Sequence, residues 1–174
     1  MKEIQRTITG FDKEKIKINK SDAEGFSEII YGIHKGIVES TKEPIGLREG
    51  ISLVNGATKI LFKMRKFADP FFQAAIIYNE IAKNHYFIEG NKRTAHCTAK
   101  THLLGRGHHF KLKYKYAVKF IEEIADGKKS TEEIITWLKN DSTNYRFQSR
   151  EKYLKLLWKE ITKDEKRGRP KKNV

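Results

Sequence analysis

The sequence predicts a mainly α protein, and three observations carry the prediction. Apolar residues recur at helical spacing from Phe26 to Ile37 and again from Phe120 to Ile124. Helix-start signatures recur along the chain: Ser21-Asp22-Ala23-Glu24, Asp69-Pro70 and Ser130-Thr131-Glu132-Glu133. The centre of the chain shows no strand pattern, no repeat and no low-complexity stretch. A compact helical bundle is the expected architecture.

With 174 residues, one domain with a real core is expected. Hydrophobic residues make up 38% and charged residues 33%, a balance that suits a soluble globular protein. The longest apolar run, near Phe71 to Tyr78, is too short to span a bilayer, so no membrane partner is expected. Met1 to Lys20 lacks the apolar core of a signal peptide, which points to a cytoplasmic location. Cys97 is the single cysteine, so no intramolecular disulfide can form; it reads as a buried structural thiol. The net charge of +14 favours polyanionic partners: a nucleotide, a nucleic acid or an acidic protein.

In chain order, residues 2–20 read as a small β-hairpin or a basic arm, because Lys15 to Asn19 alternates with period two. Ser21 to Glu24 forms a capping box for a helix whose stripe is Phe26, Ile29, Ile30, Ile33 and Ile37, ending before Pro44. Gly46 to Gly50 is a glycine-bounded turn, and Leu53 to Phe67 a loosely bounded helix. Asp69-Pro70 opens a helix that is apolar almost all round, hence central, and delivers His85 at its C-terminal end. The next helix, Lys92 to Leu104, turns Ala95, Ala99, Leu103 and Leu104 inward and is ended by Gly105. Gly107-His108-His109 is a link; two adjacent histidines without further ligands do not make a metal site. Helices follow over Tyr114 to Ala125 and from Ser130 through Leu138. Tyr153, Leu154, Leu157, Trp158 and Ile161 mark a last amphipathic helix. The expected division is 1–20 hairpin or arm, 21–140 domain body, 141–165 C-terminal helix and 166–174 basic disordered tail.

The chemistry concentrates between His85 and Arg93. Gly90-Asn91 is a turn signal, and the following helix would point its free amides, with Lys92 and Arg93, at whatever lies over the turn. That is an anion site, and phosphate suits it. Glu89 beside phosphates is a natural Mg2+ ligand. His85 is the candidate general base for taking a proton from a hydroxyl. Base, metal ligand and anion cradle together describe group transfer from a nucleotide.

His85-Tyr86-Phe87-Ile88-Glu89-Gly90-Asn91-Lys92-Arg93 resembles the signature of the Fic/Doc (Fido) family, H-x-F-x-D/E-G/A-N-G/K-R. The resemblance extends from about Phe26 to about Ile124. It implies a Fic/Doc-type helical bundle that binds ATP and Mg2+ and modifies a Ser, Thr or Tyr hydroxyl of a target protein. It implies His85 as general base, Glu89 on Mg2+, Gly90, Asn91 and Lys92 around the phosphates, and Arg93 stabilising charge. It makes Gly46-Leu47-Arg48 the flap that holds the target segment. Tyr86 stands where the AMP-transferases of the family carry Pro, and His96 where they carry a second Arg. The missing second Arg and Lys92 look like the death-on-curing (Doc) toxin branch, whose members phosphorylate translation factors and are neutralised by a small antitoxin. Gly90 looks more like the AMP-transferring branch, so AMPylation stays open. The inhibitory S/T-x-x-x-E-G/N helix of many relatives has no match, so inhibition is expected from another chain.

Arg146 to Val174 holds eleven Lys or Arg and four Asp or Glu. The tail reads as a solvated basic segment, while Arg167-Gly168-Arg169 resembles an AT-hook, an element that lies in an A·T-rich minor groove of DNA. A catalytically inactive, basic DNA-binding protein is the alternative of another class.

Overall fold

The computed structural model describes residues 18–146 and, beyond them, 149, 151, 152, 155, 156 and 159. The hairpin or arm over 1–17, most of the expected last helix and the basic tail with Arg167, Gly168 and Arg169 lie outside the described residues.

Six helices and two short strands follow in order among the described residues: α1 (Lys20–Thr41), α2 (Leu53–Met64), α3 (Pro70–Asn84), α4 (Asn91–Gly105), β1 (His108–Phe110), α5 (Tyr114–Ala125), α6 (Thr131–Asn140) and β2 (Ser142–Asn144). The mainly α expectation holds. Helix α3 is the axis, packing against α2, α4, α5 and α6. It is apolar almost all round, so it has to be covered on every side. Ala74, Ala75, Ile77, Tyr78, Ile81 and Ala82 have no exposed surface. Helix α4 lies along it, and α1 packs on α2 and α4. Ala95 and Ala99 on α4 are fully buried, and small side chains let two helices approach closely.

The helix starts confirm two signatures and correct one. The Asp69 side chain accepts from the Phe71 amide at 2.8 Å, with Pro70 behind it. Ser130 and Glu133 form a reciprocal capping box, with bonds of 2.8 and 3.1 Å. The expected box at Ser21 to Glu24 does not form. Helix α1 begins two residues earlier than that box would start it, at Lys20, and Asn19 caps it without a side-chain bond. The stripe on α1 is also narrower than expected, since Ile29 is 52% exposed while Ile30, Ile33 and Ile37 are buried.

The segment expected to link helices is a strand. His108–Phe110 pairs antiparallel with Ser142–Asn144, in the register His108 to Asn144 and Phe110 to Ser142. Residues 142–144 therefore do not begin the C-terminal helix expected over 141–165. A three-residue pair carries no alternation long enough to read, and non-local pairing completes it. Helix α4 includes Gly105 and turns off at Arg106 and Gly107, the latter at φ +82°. No described helix is long and apolar enough to cross a membrane.

Candidate active site

The loop from His85 to Gly90 joins the central helix to its neighbour, so its position is set by the core. Phe87 is the anchor: it is fully buried and stacks on His34 of α1, with ring centroids 3.7 Å apart at 10°. Around it the loop is an extended strand fragment with two edges. On one edge, Arg48 donates to the Tyr86 carbonyl at 3.0 Å and Ile88 donates to the Gly46 carbonyl at 3.1 Å. Leu47 thereby opposes Phe87 in an isolated antiparallel bridge. On the other edge, Phe87 donates to Asn91 Oδ1 at 2.9 Å and accepts from Asn91 Nδ2 at 2.7 Å. This is the alternation of an antiparallel ladder, with a side-chain carboxamide in place of a second strand.

Asn91 thus has a different task from the one the motif suggested. Its side chain is buried and brackets the loop, so it can contribute only its backbone amide to an anion cradle. The segment Gly46-Leu47-Arg48 lies against the motif loop, where the flap was expected.

Helix α4 starts immediately after the loop. Gly90 is its N-cap at φ +74°, and no side chain caps the first turn. The first amides of a helix lack intrahelical acceptors and carry the positive end of its dipole. Glycine suits position 90: its φ is left-handed, and a Cβ there would sit 3.2 Å from Val38 Cγ1, a tight approach. Exposed His85 and Glu89 flank this start, His85 itself being left-handed at φ +47°. Such a conformation in a non-glycine residue stores strain, as functional positions often do.

The two cations are engaged within the chain. Arg93 is half-buried and bonds Glu43 and, at 3.2 Å, Thr41, both beyond or at the end of α1. Lys92 reaches away to Glu122 of α5 at 3.1 Å. That pair is well exposed, and exposed pairs contribute only about 0–1 kcal/mol, so Lys92 is readily redirected.

His34 is the site residue that sequence reasoning missed. It is fully buried, its Nδ1 lies 3.3 Å from Thr94 Oγ1, and it touches the loop from below. Burial, helped by the nearby Arg93 charge and opposed by Glu43, pushes it down to about 4, so it is neutral. The available signal was a histidine inside the apolar stripe of α1, next to Ile33. His96, where a second Arg was the comparison, is fully buried and bonded to the Tyr78 hydroxyl at 2.6 Å. Burial, then the Lys100 charge, holds it well below the usual imidazole range.

Residues 18–103 match the Fic/DOC family, and they span α1 to α4 with the whole loop. The chain belongs to the Fic/DOC family. Among curated proteins, none matches the chain. Fic/DOC proteins are protein-modifying transferases that draw on nucleotides, and this chain is of that class. The matched stretch ends inside α4, and β1, α5, α6 and β2 follow it in the chain.

Mg2+ fits the residues present. Glu89 offers an exposed carboxylate beside the uncapped helix start. Among the described residues no group of three or more His, Cys, Asp or Glu side chains could hold a metal ion. Mg2+ commonly takes one or two carboxylates and draws its other ligands from water and substrate phosphates, which is the set available here.

Proposed function

We propose that this protein transfers the γ-phosphoryl group of ATP to a hydroxyl of a target protein, with His85 as general base. The observation that carries the reading is the grouping on one turn of an exposed His, an exposed carboxylate and an uncapped helix start. In the step, the target hydroxyl oxygen bonds to the γ-phosphorus while its proton passes to His85. The bond to the bridging oxygen breaks in line, and ADP leaves. The amides of Asn91, Lys92 and Arg93 receive phosphate charge, and Glu89 would hold Mg2+. When bound, Mg2+ neutralises phosphate charge.

Attack on the α-phosphorus, with pyrophosphate leaving, is AMP transfer, and it uses the same base. Two observations favour the γ-phosphorus. His96 is neutral and packed against Tyr78, Phe110 and Tyr114, so it supplies no second cation for the outer phosphates. Lys92 adds a flexible ammonium at the helix start, which suits the most highly charged phosphate.

The flap reading of Gly46, Leu47 and Arg48 is supported by the ladder geometry. Their inner edge pairs with the loop, so the N–H and C=O of Leu47 face outward, toward an extended target segment. The proposed target is a translation factor, a cytoplasmic partner, and the proposed restraint is a separate antitoxin chain. The deciding experiment supplies ATP labelled separately at the α and γ positions to host lysate. Label on a protein from γ alone is expected, dependent on His85. Label from α alone overturns the kinase reading and leaves AMP transfer.

A further inference from the structure

Many of the described lysines are matched. Lys20, Lys35, Lys128 and Lys139, for instance, each pair with a carboxylate. Between Glu89 and Glu122 the pattern changes: the chain has no Asp or Glu there and eight Lys or Arg. Three of the eight are engaged: Lys92 with Glu122, Arg93 with Glu43, and Lys100 with the Leu112 carbonyl at 3.1 Å. The remaining five, Arg106, Lys111, Lys113, Lys115 and Lys119, are exposed and form no ion pair among the described residues.

These five follow one another along the end of α4, the extended segment after it and the first two turns of α5. Arg106 closes α4, and Lys111 and Lys113 are two apart on the extended segment before α5. Lys115 and Lys119 stand one turn apart on α5, on the side away from buried Ala117, Ile121 and Ile124. Tyr116 lies between them, 66% exposed, with Lys115 Nζ 4.4 Å from its ring centroid. The patch ends at Asp141, whose carbonyl accepts from the Lys111 amide, and at Glu122 and Glu123, which are occupied by Lys92 and Lys129. Arg106 stands about 22 Å from the start of α4, at 1.5 Å per residue, and α5 comes back toward that start, so Lys119, three residues before the Glu122 that holds Lys92, is the edge of the patch nearest the loop.

Five cations without a carboxylate partner among the described residues, carried on one stretch of backbone, repel one another and gather counterions. A polyanion that displaces those counterions gains the entropy of their release. An exposed aromatic among cations is a stacking platform for a base. An acidic protein would need an apolar centre to its interface. The other large exposed apolar side chains, Ile29, Tyr31, Ile45, Phe62 and Ile88, all lie outside this segment. We infer that this face binds single-stranded nucleic acid, with the lysines on phosphates and Tyr116 beneath a base.

The test titrates the full chain with a labelled oligonucleotide of one length, as single-stranded RNA, single-stranded DNA and duplex, over a range of salt. In the K111Q/K113Q/K115Q/K119Q variant the slope of log affinity against log salt should fall by about 0.7 for each single-strand phosphate that the variant no longer neutralises. Tyr116→Ala should weaken single-strand binding roughly 5- to 100-fold and spare the duplex. Both variants should keep the wild-type melting curve and His85-dependent transfer. RNA and DNA arms tell which sugar is preferred. Three results overturn the inference: quadruple-variant curves that superimpose on wild type, which would assign binding to the basic segment 166–172; a Tyr116→Ala effect equal on strand and duplex; or retention of poly-glutamate with no retention of any oligonucleotide.

Discussion

Asn91 separates two readings of the same motif position. As a phosphate ligand it would affect nucleotide affinity and leave stability alone. As the bracket of the loop it should do the reverse first. Asn91→Ala strands two buried backbone groups, the N–H and C=O of Phe87, which now bond at 2.9 and 2.7 Å. Each stranded group costs about 1–3 kcal/mol, and water entering the vacated space lowers the sum to about 2–4 kcal/mol. In a domain of this size 1 kcal/mol moves the melting temperature by about 2–4 °C, so a fall of about 5–15 °C is expected. Asn91→Asp keeps the acceptor for Phe87 N–H and loses the donor, so it should fall between. The assay is a thermal melt by circular dichroism without nucleotide, followed by calorimetric ATP titration well below the transition. Nucleotide affinity should change little in the molecules that remain folded. An unchanged melting temperature with lost ATP binding would refute the bracket and return Asn91 to the phosphates.

Further outcomes follow from the same geometry. His85→Ala should lower transfer by about 10²–10⁴-fold with an unchanged melt, because the side chain is exposed; near-normal turnover removes it from the mechanism. Glu43→Gln should tighten ATP binding severalfold, since a carboxylate now holds the Arg93 guanidinium that phosphate would use, while Arg93→Ala should weaken it. Weaker binding in Glu43→Gln would make Glu43 a support for Arg93 rather than its competitor. Glu89→Ala should raise the Mg2+ concentration needed for half-maximal transfer, and an unchanged requirement would remove it from the metal site. Acid should destabilise the fold before carboxylates titrate. The folded pKa of His34 is about 4 against about 6.5 unfolded, so the unfolded state binds more protons between them. The stability is present above about pH 6.5 and about 2 kcal/mol is lost by pH 5. Denaturant unfolding from pH 7 to 5 should show that slope, flattened in His34→Gln; parallel curves would mean that His34 protonates freely in the fold.

Helix content, the central place of α3, two of the three expected caps and the whole loop motif were legible in the sequence, because each depends on residues a few positions apart. What only the tertiary structure decided is who meets whom across the chain. His34 lies fifty-three positions before Phe87, and nothing in the sequence of α1 says that its ring will face that phenyl. Glu43 and Arg93 come together because the C-terminal end of α1 passes the start of α4. Leu47 meets Phe87, and β1 meets β2, through backbone groups, which every residue carries and no residue type announces. Asn91 shows the limit best: its identity was read correctly as part of the motif, but its task depended on the direction of the Phe87 backbone, which the packed core sets.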